Sequence, residues 1–192
     1  MGLDMFLKTN GKRVCKAAVR ATGGSSWHKS SGIAIYWRKA NAIHKWFVDN
    51  VQYGNDDCGT YGVEVEQLKE LRKVCKKILN STRLVKGKVF AGRHFEGDRL
   101  VDVFEDGMVL EDSSVAEELL PTQDGFFFGN TNYDEYYWSD LQHTVKGLDA
   151  ILRNVEEFEY EPWENAEQKW KGWREKGETD DWEVRFYYHS SW

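Results

Sequence analysis

The sequence predicts an α+β fold in which a largely antiparallel sheet packs against about three to five helices. Segments that alternate apolar and polar residues, as strands do, lie near both ends of the chain. Segments with apolar residues three or four positions apart, as in amphipathic helices, lie between them. Strands and helices do not alternate regularly, which disfavours a doubly wound parallel sheet. The length of 192 residues favours a single domain over 1–192.

The two ends of the chain predict strands. At the N-terminus Leu3, Met5 and Leu7 recur at every second position, which is the period of a strand. The segment 182–189 near the C-terminus alternates in the same way, and a short apolar run at 32–37 predicts a further strand. We expect the two terminal strands to lie in the same sheet.

Four segments predict helices, at 38–53, 66–80, 114–120 and about 133–157. Apolar residues recur along the first and the last of them with the helical period, so we expect each stripe to face the core. The first stripe contains Ile43, Trp46, Phe47 and Val51, and the last contains Leu141, Val145, Leu148, Leu152 and Val155.

Three further segments are interpreted from their glycines. Residues 10–31 are rich in Gly, Ser and Lys and predict a variable loop or hairpin excursion. Residues 84–111 predict short strands, with Asp106 and Gly107 as the turn of a hairpin. Residues 125–129 place three phenylalanines between two glycines. This run predicts a strand that is buried on both faces, or one that displays its central ring at a binding surface.

A surplus of aromatic residues, 15% of the chain, favours an interaction surface. Trp163, Trp170 and Trp173 lie in a variable Trp-rich segment at 158–181, where the spacing of seven and three places them on one face of a short helix. Many charged residues surround them, so the indoles are candidate interface residues. The alternative is that these rings cap the sheet.

The charge and the cysteines restrict partners and compartment. A net charge of −6 disfavours nucleic acid and anionic membranes, which both require clustered cations. The three cysteines form no paired motif, so a reducing compartment is predicted. The sequence shows neither a signal peptide nor an apolar run long enough to span a membrane, and we therefore expect a cytoplasmic protein.

The first candidate pocket residues lie around the helix at 38–53. Arg38, Asn41 and His44 belong to this helix, and Asp57 and Cys58 belong to the turn that follows it. A histidine beside a cysteine can lower the pKa of the thiol and create a nucleophile. The interpretation we prefer is a capped turn in which Asp side chains accept backbone N–H bonds and the cysteine is half-buried.

The second group of candidate pocket residues follows Pro121. It contains Thr122, Tyr133, Asp134 and Glu135. Carboxylates in the first turn of a helix are explained by the helix dipole. The alternative is that they serve as ligands for a hard metal ion or as general bases. No metal-binding or nucleotide-binding spacing occurs in the chain, so neither a metal nor a cofactor is predicted.

Several literal segments occur in order along the chain, namely MGLDMFL, YWRKANAIHKWFVDNVQ, NDDCGTYGV, LLPTQDGFFFGNTNYDEYYWSDL and YYHSSW. Together they resemble a family of uncharacterised small proteins found in bacteria and their phages. The resemblance implies a cytosolic protein encoded by a bacterium or a phage. It carries no catalytic role to any residue of this chain.

Two hypotheses of function follow. The favoured one is an accessory protein of a phage or mobile element that acts by binding a host protein, with inhibition as one outcome. The alternative is a small enzyme or ligand-binding domain whose site lies between the helix at 38–53 and the corner at 121–140. Besides these two, nucleic-acid binding is kept as a third hypothesis only because the lysines at 73, 76, 77, 86 and 88 could form a basic face. A solvated face is the preferred interpretation of that run.

Overall fold

The computed structural model describes the backbone of residues 2–159 and 184–192, and the side chains of residues 2–155 and 184–192. Over these residues the chain forms six helices and two antiparallel sheets of four and two strands, so the predicted α+β class is confirmed. The side chains of Trp163, Trp170 and Trp173, predicted to form an interface within the segment 158–181, lie outside the described residues.

The described helices and strands follow one another in a mixed order. The strands are β1 (Asp4–Thr9), β2 (Ile33–Arg38), β3 (Thr60–Val63), β4 (Leu84–Glu96), β5 (Arg99–Leu110) and β6 (Phe186–Ser191). The helices are α1 (Lys12–Thr22), α2 (Ser26–Ser30), α3 (Asn41–Asn50), α4 (Val65–Ser81), α5 (Ser114–Leu119) and α6 (Glu135–Glu159).

The four-stranded sheet has the order β2-β1-β6-β3, and all its neighbouring strands are antiparallel. The prediction that the terminal strands share a sheet is confirmed, because β1 pairs directly with β6 and Leu7 lies opposite Tyr188. The N-terminal strand is therefore central. Its register places Leu3, Met5 and Leu7 on one face, where each is fully buried.

The helices α1, α3, α4 and α6 contribute their apolar stripes to the core on that face of the sheet. On α3 the ring of Phe47 stacks on the ring of Tyr188, with centroids 3.9 Å apart. On α6 Leu141 and Leu148 are fully buried. Burial of each such side chain contributes about 1.5–3 kcal/mol to folding, so the two predicted stripes are confirmed as core.

The prediction of a loop or hairpin at 10–31 is wrong, because this segment forms α1 and α2. In α1 the side chains of Val14, Cys15, Ala18 and Val19 are buried, since their spacing of one, three and one places them on one helical face. The glycines that suggested an excursion only end the helix. Gly23 adopts the left-handed conformation at its C-terminus, with φ at 73°.

The hairpin predicted at 84–111 exists, but its turn is not at Asp106 and Gly107. The two long strands β4 and β5 meet at a turn that contains Gly97, where φ is 63°. Gly107 lies inside β5 opposite Gly87. A Cβ atom at Gly107 would lie 2.6 Å from the Cγ2 atom of Val89. The glycine therefore serves close packing across the hairpin rather than a turn.

The strand predicted at 125–129 is absent from the described structure, since this segment is a turn between α5 and α6. The phenylalanines diverge: Phe126 is 95% exposed, whereas Phe128 is 6% exposed. Three consecutive rings cannot face one core from an extended chain, and the turn resolves this conflict by burying only one of them.

Candidate functional site

A cleft of about 340 Å³ opens where the start of α3 meets the segment that leads into α6. This is the region in which the ligand-binding alternative placed its site. Three predicted residues line it, namely Arg38, Asn41 and Thr122. The lining residues outside the predicted pocket set include Lys39, Asn130, Asn132, Tyr136 and Asp140.

Asn41 holds the two walls of the cleft together. It is the first residue of α3 and its side chain is buried. Its Nδ2 atom donates to the carbonyl oxygens of Phe128, at 3.1 Å, and Asn130, at 2.7 Å. Its Oδ1 atom accepts from the backbone N–H of Gln123 at 3.1 Å. With three bonds to the facing loop, Asn41 positions the site.

The α3 side of the cleft is electropositive. Arg38 and Lys39 are exposed there, and Arg38 donates to the Oδ1 atom of Asp4 at 3.2 Å. The residue that precedes α3, Ala40, provides no side-chain cap, so the partial positive charge of this helix N-terminus faces the cleft without a side-chain acceptor from its own cap position. Together these groups favour an anionic ligand group.

Lys39 has a strained backbone. Its φ is 59°, which is in the left-handed region that residues other than glycine seldom adopt. This conformation turns the chain from β2 into α3, while its N–H donates to the carbonyl of Leu3 at 2.8 Å. The stem of Lys39 packs on Gly129, where a Cβ atom would lie 3.3 Å from the Cβ atom of Lys39. The strained residue thus sits on the cleft wall.

The α6 side of the cleft carries an acidic group, Asp140. Burial, with a smaller effect from the nearby charge of Asp134, raises the pKa of Asp140 to about 7. This carboxyl group therefore exchanges its proton near neutral pH. It can donate a hydrogen bond when protonated and accept one when ionised.

Asp134 has a structural role at the start of α6. Its Oδ1 atom accepts from the backbone N–H groups of Tyr136, at 2.9 Å, and Tyr137, at 3.1 Å. Its Oδ2 atom accepts from the Nδ2 atom of Asn130 at 3.3 Å. The interpretation of this carboxylate as a partner of the helix N-terminus is confirmed.

Two residues of the second predicted group, Tyr133 and Glu135, do not line the cleft. The backbone N–H of Thr122 donates to the hydroxyl of Tyr133 at 3.3 Å, so Tyr133 supports a lining residue. Glu135 is exposed and is not among the lining residues. The ring of Tyr136 is 68% exposed at the mouth of the cleft. Asn132 joins the cleft to the hairpin, because its Nδ2 atom donates to the carbonyl of Phe90 at 2.9 Å.

His44 lies in the core and does not line this cleft. Its Nε2 atom is 3.1 Å from the Oδ2 atom of Asp56, and its Nδ1 atom is 2.8 Å from the hydroxyl of Tyr188. A carboxylate only accepts, so Nε2 carries the proton and Nδ1 accepts from Tyr188. Burial lowers the pKa of His44, although Asp56 opposes the shift. The histidine is therefore a neutral structural link.

Asp57 and Cys58 form a capped turn, as the preferred interpretation predicted. The Oδ1 atom of Asp57 accepts from the N–H of Gly59 at 2.8 Å, and its Oδ2 atom accepts from the hydroxyl of Tyr61 at 2.9 Å. Cys58 is half-buried. Because Tyr188 and Asp56 occupy both ring nitrogens of His44, neither nitrogen is available to activate this thiol.

Two properties of the described residues bear on other classes of site. Among them, no group of three or more His, Cys, Asp or Glu side chains is arranged to hold a metal ion. None of the helices in the described part of the chain combines the length and the apolar character needed to cross a bilayer.

No family model, curated protein or solved structure matches this chain. The fold and the cleft therefore define it as an α+β protein with an antiparallel sheet and a polar cleft at the β2–α3 corner. The resemblance to the family found in bacteria and their phages stays a prediction.

Proposed function

We propose that the protein binds a small polar metabolite in the cleft between α3 and α6. The observation that carries the proposal is the separation of charge across one cavity. Arg38, Lys39 and the N-terminus of α3 lie on one wall, and Asp140 lies on the other. A ligand with an anionic group at one end and a hydroxyl or amine at the other complements both walls.

The dimensions support a small ligand. The volume of about 340 Å³ is near the lower end of the range for small-molecule sites, which is roughly 300–1,000 Å³. Amino acids, sugar phosphates and nucleoside monophosphates have the required pair of polar groups. The exposed ring of Tyr136 offers a flat apolar surface at the mouth, on which a sugar or a base would stack.

The cleft offers polar groups for binding on both walls. Its described lining contains a carboxyl group whose pKa is raised to about 7, and it contains no cysteine, serine or histidine. The protonation state of Asp140 would depend on the ligand. A ligand amine favours the ionised form of the carboxyl group, and a ligand acceptor group favours the protonated form.

The experiment titrates the ¹⁵N-labelled protein with inorganic phosphate and with members of these three metabolite classes. Changes in the amide chemical shifts, measured by NMR, report binding. We expect changes at the backbone amides of 38–43, 122 and 129–141. Lys39→Met should abolish binding of the anionic group, and Asp140→Asn should weaken the ligand without abolishing phosphate binding. Lys77→Met is the matched control, since Lys77 is an exposed lysine of α4 outside the cleft lining.

Two outcomes would contradict the proposal. One is the absence of shift changes in the cleft with every probe at millimolar concentration. The other is binding that Lys39→Met and Lys77→Met weaken equally, because this would indicate a nonspecific effect of net charge rather than a site.

A second candidate function, binding of a host protein by a phage or mobile-element accessory protein, is supported by the hairpin β4–β5. Near its tip Phe95, Leu100 and Phe104 are 72%, 53% and 53% exposed. Phe95 lies opposite Leu100, and the ring of Phe90 lies 5.8 Å from that of Phe104. The ion pair between Arg93 and Asp102 lies between these two apolar pairs, so the face combines exposed rings with one charged pair. Exposed apolar patches of this kind are frequent at protein interfaces.

Photo-crosslinking tests this candidate. A benzophenone amino acid at position 95, in cells of a bacterial host, should form a discrete adduct with one host protein, and Leu100→Ser should abolish that adduct. The control places the same amino acid at Tyr53, which is 89% exposed but lies in the turn after α3. The same adducts from both positions would contradict a specific interface on the hairpin.

A further inference from the structure

The second face of the four-stranded sheet lies opposite the core. Strands β1 and β6 alternate buried residues with partly or fully exposed ones, so the exposed set shares this outer face. None of the described helices other than α2, which lies at its margin, contributes a ring to this face. The strand residues on this outer face include Asp4, Phe6, Lys8, Tyr36, Arg38 and His189.

Five aromatic rings form a continuous row across this face. Trp27 of α2 contacts His28 at a centroid distance of 5.3 Å, and His28 contacts Tyr36 at 5.6 Å. Tyr36 contacts Phe6 at 5.5 Å, and Phe6 contacts His189 at 5.9 Å with the two rings only 20° from parallel. The row therefore runs from α2 over β2 and β1 to β6.

The rings are held in place by polar contacts at their edges. The hydroxyl of Tyr36 donates to the Oδ1 atom of Asp4, which also accepts from Arg38. The Nδ1 atom of His28 accepts from the N–H of Ser25 at 3.0 Å. Beside these contacts, Phe6, Tyr36 and His189 each remain partly exposed.

The charge on this face differs from that of the whole chain. The chain has a net charge of −6. On the strands of the outer face, however, Lys8 and Arg38 are cations and Asp4 is an anion that pairs with Arg38, so the two cations exceed the one anion by one. Lys29 follows His28 at the margin. An excess of cations beside a row of rings complements a ligand that has flat bases and phosphates.

We propose that this aromatic face binds single-stranded nucleic acid, with bases stacked on Phe6, Tyr36 and His189 and phosphates near Lys8, Arg38 and Lys29. Single strands are bound by aromatic side chains on which successive bases stack, and four-stranded sheets with aromatic residues on the exposed face use this mode for two or three bases. A duplex keeps its bases stacked inside, so it does not fit. The aromatic row does not line the cleft, so the inference does not rest on the metabolite proposed there, although Arg38 borders both surfaces.

This inference departs from the expectation that the acidic balance disfavours nucleic acid. Net charge is a sum over the whole chain, whereas the stacking of bases depends only on the aromatic face of the sheet. Few phosphates are neutralised here, so the affinity should depend only weakly on salt. With three cations, the plot of log K against log salt should have a slope of about −2.

The test uses the full chain and fluorescein-labelled twelve-nucleotide oligo-dT and oligo-U, with fluorescence anisotropy as the readout. We expect both to bind more tightly than a duplex of equal length. Phe6→Leu, which keeps an apolar side chain but removes the ring, should weaken binding about tenfold, as expected for one lost base stack. The matched control is Phe104→Leu, because Phe104 is an exposed ring of the hairpin outside this face.

A second measurement keeps the proposal testable if Phe6→Leu fails to fold. Oligo-dT added to the ¹⁵N-labelled wild-type protein should shift the amides of β1, β2 and β6, and Asp140→Asn should leave that binding unchanged. Absence of oligonucleotide binding at about 100 µM protein, the weak end of nonspecific affinities, would overturn the proposal. Equal weakening by Phe104→Leu, or preference for the duplex, would also overturn it. Self-association that Phe6→Leu abolishes, without oligonucleotide binding, would assign the face to a second copy of the chain and also overturn it.

Discussion

The hydroxyl of Tyr188 donates a hydrogen bond of 2.8 Å to the Nδ1 atom of His44, although 144 residues separate them in the chain. The bond joins β6 to α3 inside the core. On the other side of the imidazole Asp56 accepts from Nε2, and its second oxygen accepts from the indole of Trp192 at 3.1 Å. A chain of hydrogen bonds that starts in the core and ends at the surface therefore joins the C-terminal strand to α3.

Tyr188→Phe should lower the free energy of unfolding by about 1–3 kcal/mol, because it leaves the buried Nδ1 atom of His44 without a donor. Urea unfolding at pH 7.5 measures the change. The matched control is Tyr187→Phe, since Tyr187 is the adjacent tyrosine and is 36% exposed. Equal effects of the two substitutions would show that the buried hydrogen bond contributes nothing beyond the loss of a hydroxyl.

His44 should make stability depend on pH below neutrality. Burial lowers its pKa in the folded protein, so below the ordinary value of 6.5 the unfolded chain binds more protons than the folded one. Stability should therefore fall as the pH drops from 6.5 through the folded pKa. His44→Gln should flatten this part of the profile, and His28→Gln, at a half-exposed position on α2, should not. Parallel profiles for wild type and His44→Gln would contradict the assignment.

Asp140→Asn should stabilise the protein at pH 8. The folded state raises the pKa of this group from 3.8 to about 7, so ionisation penalises folding above pH 7, and the penalty fades as the pH falls from 7 to 4. The gain at pH 8 is at most about 4 kcal/mol, at 1.4 kcal/mol per pH unit. Urea unfolding at pH 4 and pH 8 measures it.

Asp149 provides a control of opposite sign on the same helix. Burial raises the pKa of Asp149, but hydrogen bonds from Arg72 and Lys76 outweigh this effect and lower it overall. Asp149→Asn should therefore destabilise the protein at pH 8. If both substitutions changed stability in the same direction, the pH linkage assigned to Asp140 would be wrong.

The Lys39→Gly variant should have a higher free energy of unfolding than the Lys39→Ala variant. At a φ of 59° a residue with a Cβ atom is strained by about 1 kcal/mol, and glycine is not. Comparing Lys39→Gly with Lys39→Ala isolates the backbone effect, because both remove the lysine stem. At Lys45, within α3, the same comparison should favour alanine by about 1 kcal/mol. A preference for alanine at both positions would contradict the strain.

Deletion of residues 190–192 should lower the free energy of unfolding by about 2 kcal/mol or more. Ser190 pairs with Met5 in the sheet, and the indole of Trp192 lies 6.1 Å from the ring of Phe128. Trp192→Phe alone should have a smaller effect, about 1 kcal/mol, because it removes one hydrogen bond but keeps the ring. Thermal unfolding identical to that of the full chain would exclude a structural role for the last three residues.

Local pattern predicted most of the fold. The period of two in β1 and β6 and the stripes of α3, α4 and α6 follow from which face each element must bury. The errors arose where glycines were interpreted as signs of a turn or a loop. Gly107 packs against Val89 within a strand. The glycines after α1 suggested a loop, although a helix with one buried face begins at Lys12.

By itself the sequence determined the α+β class, the sharing of one sheet by the terminal strands, and two segments around the cleft, because each rests on a repeat that the chain carries locally. Only the tertiary structure decided which polar residues meet. It placed Asp140 opposite Lys39 across one cavity, removed His44 into the core, and aligned five rings on one face. Such neighbours come from different elements, and their distances depend on how those elements pack, which local periodicity does not encode.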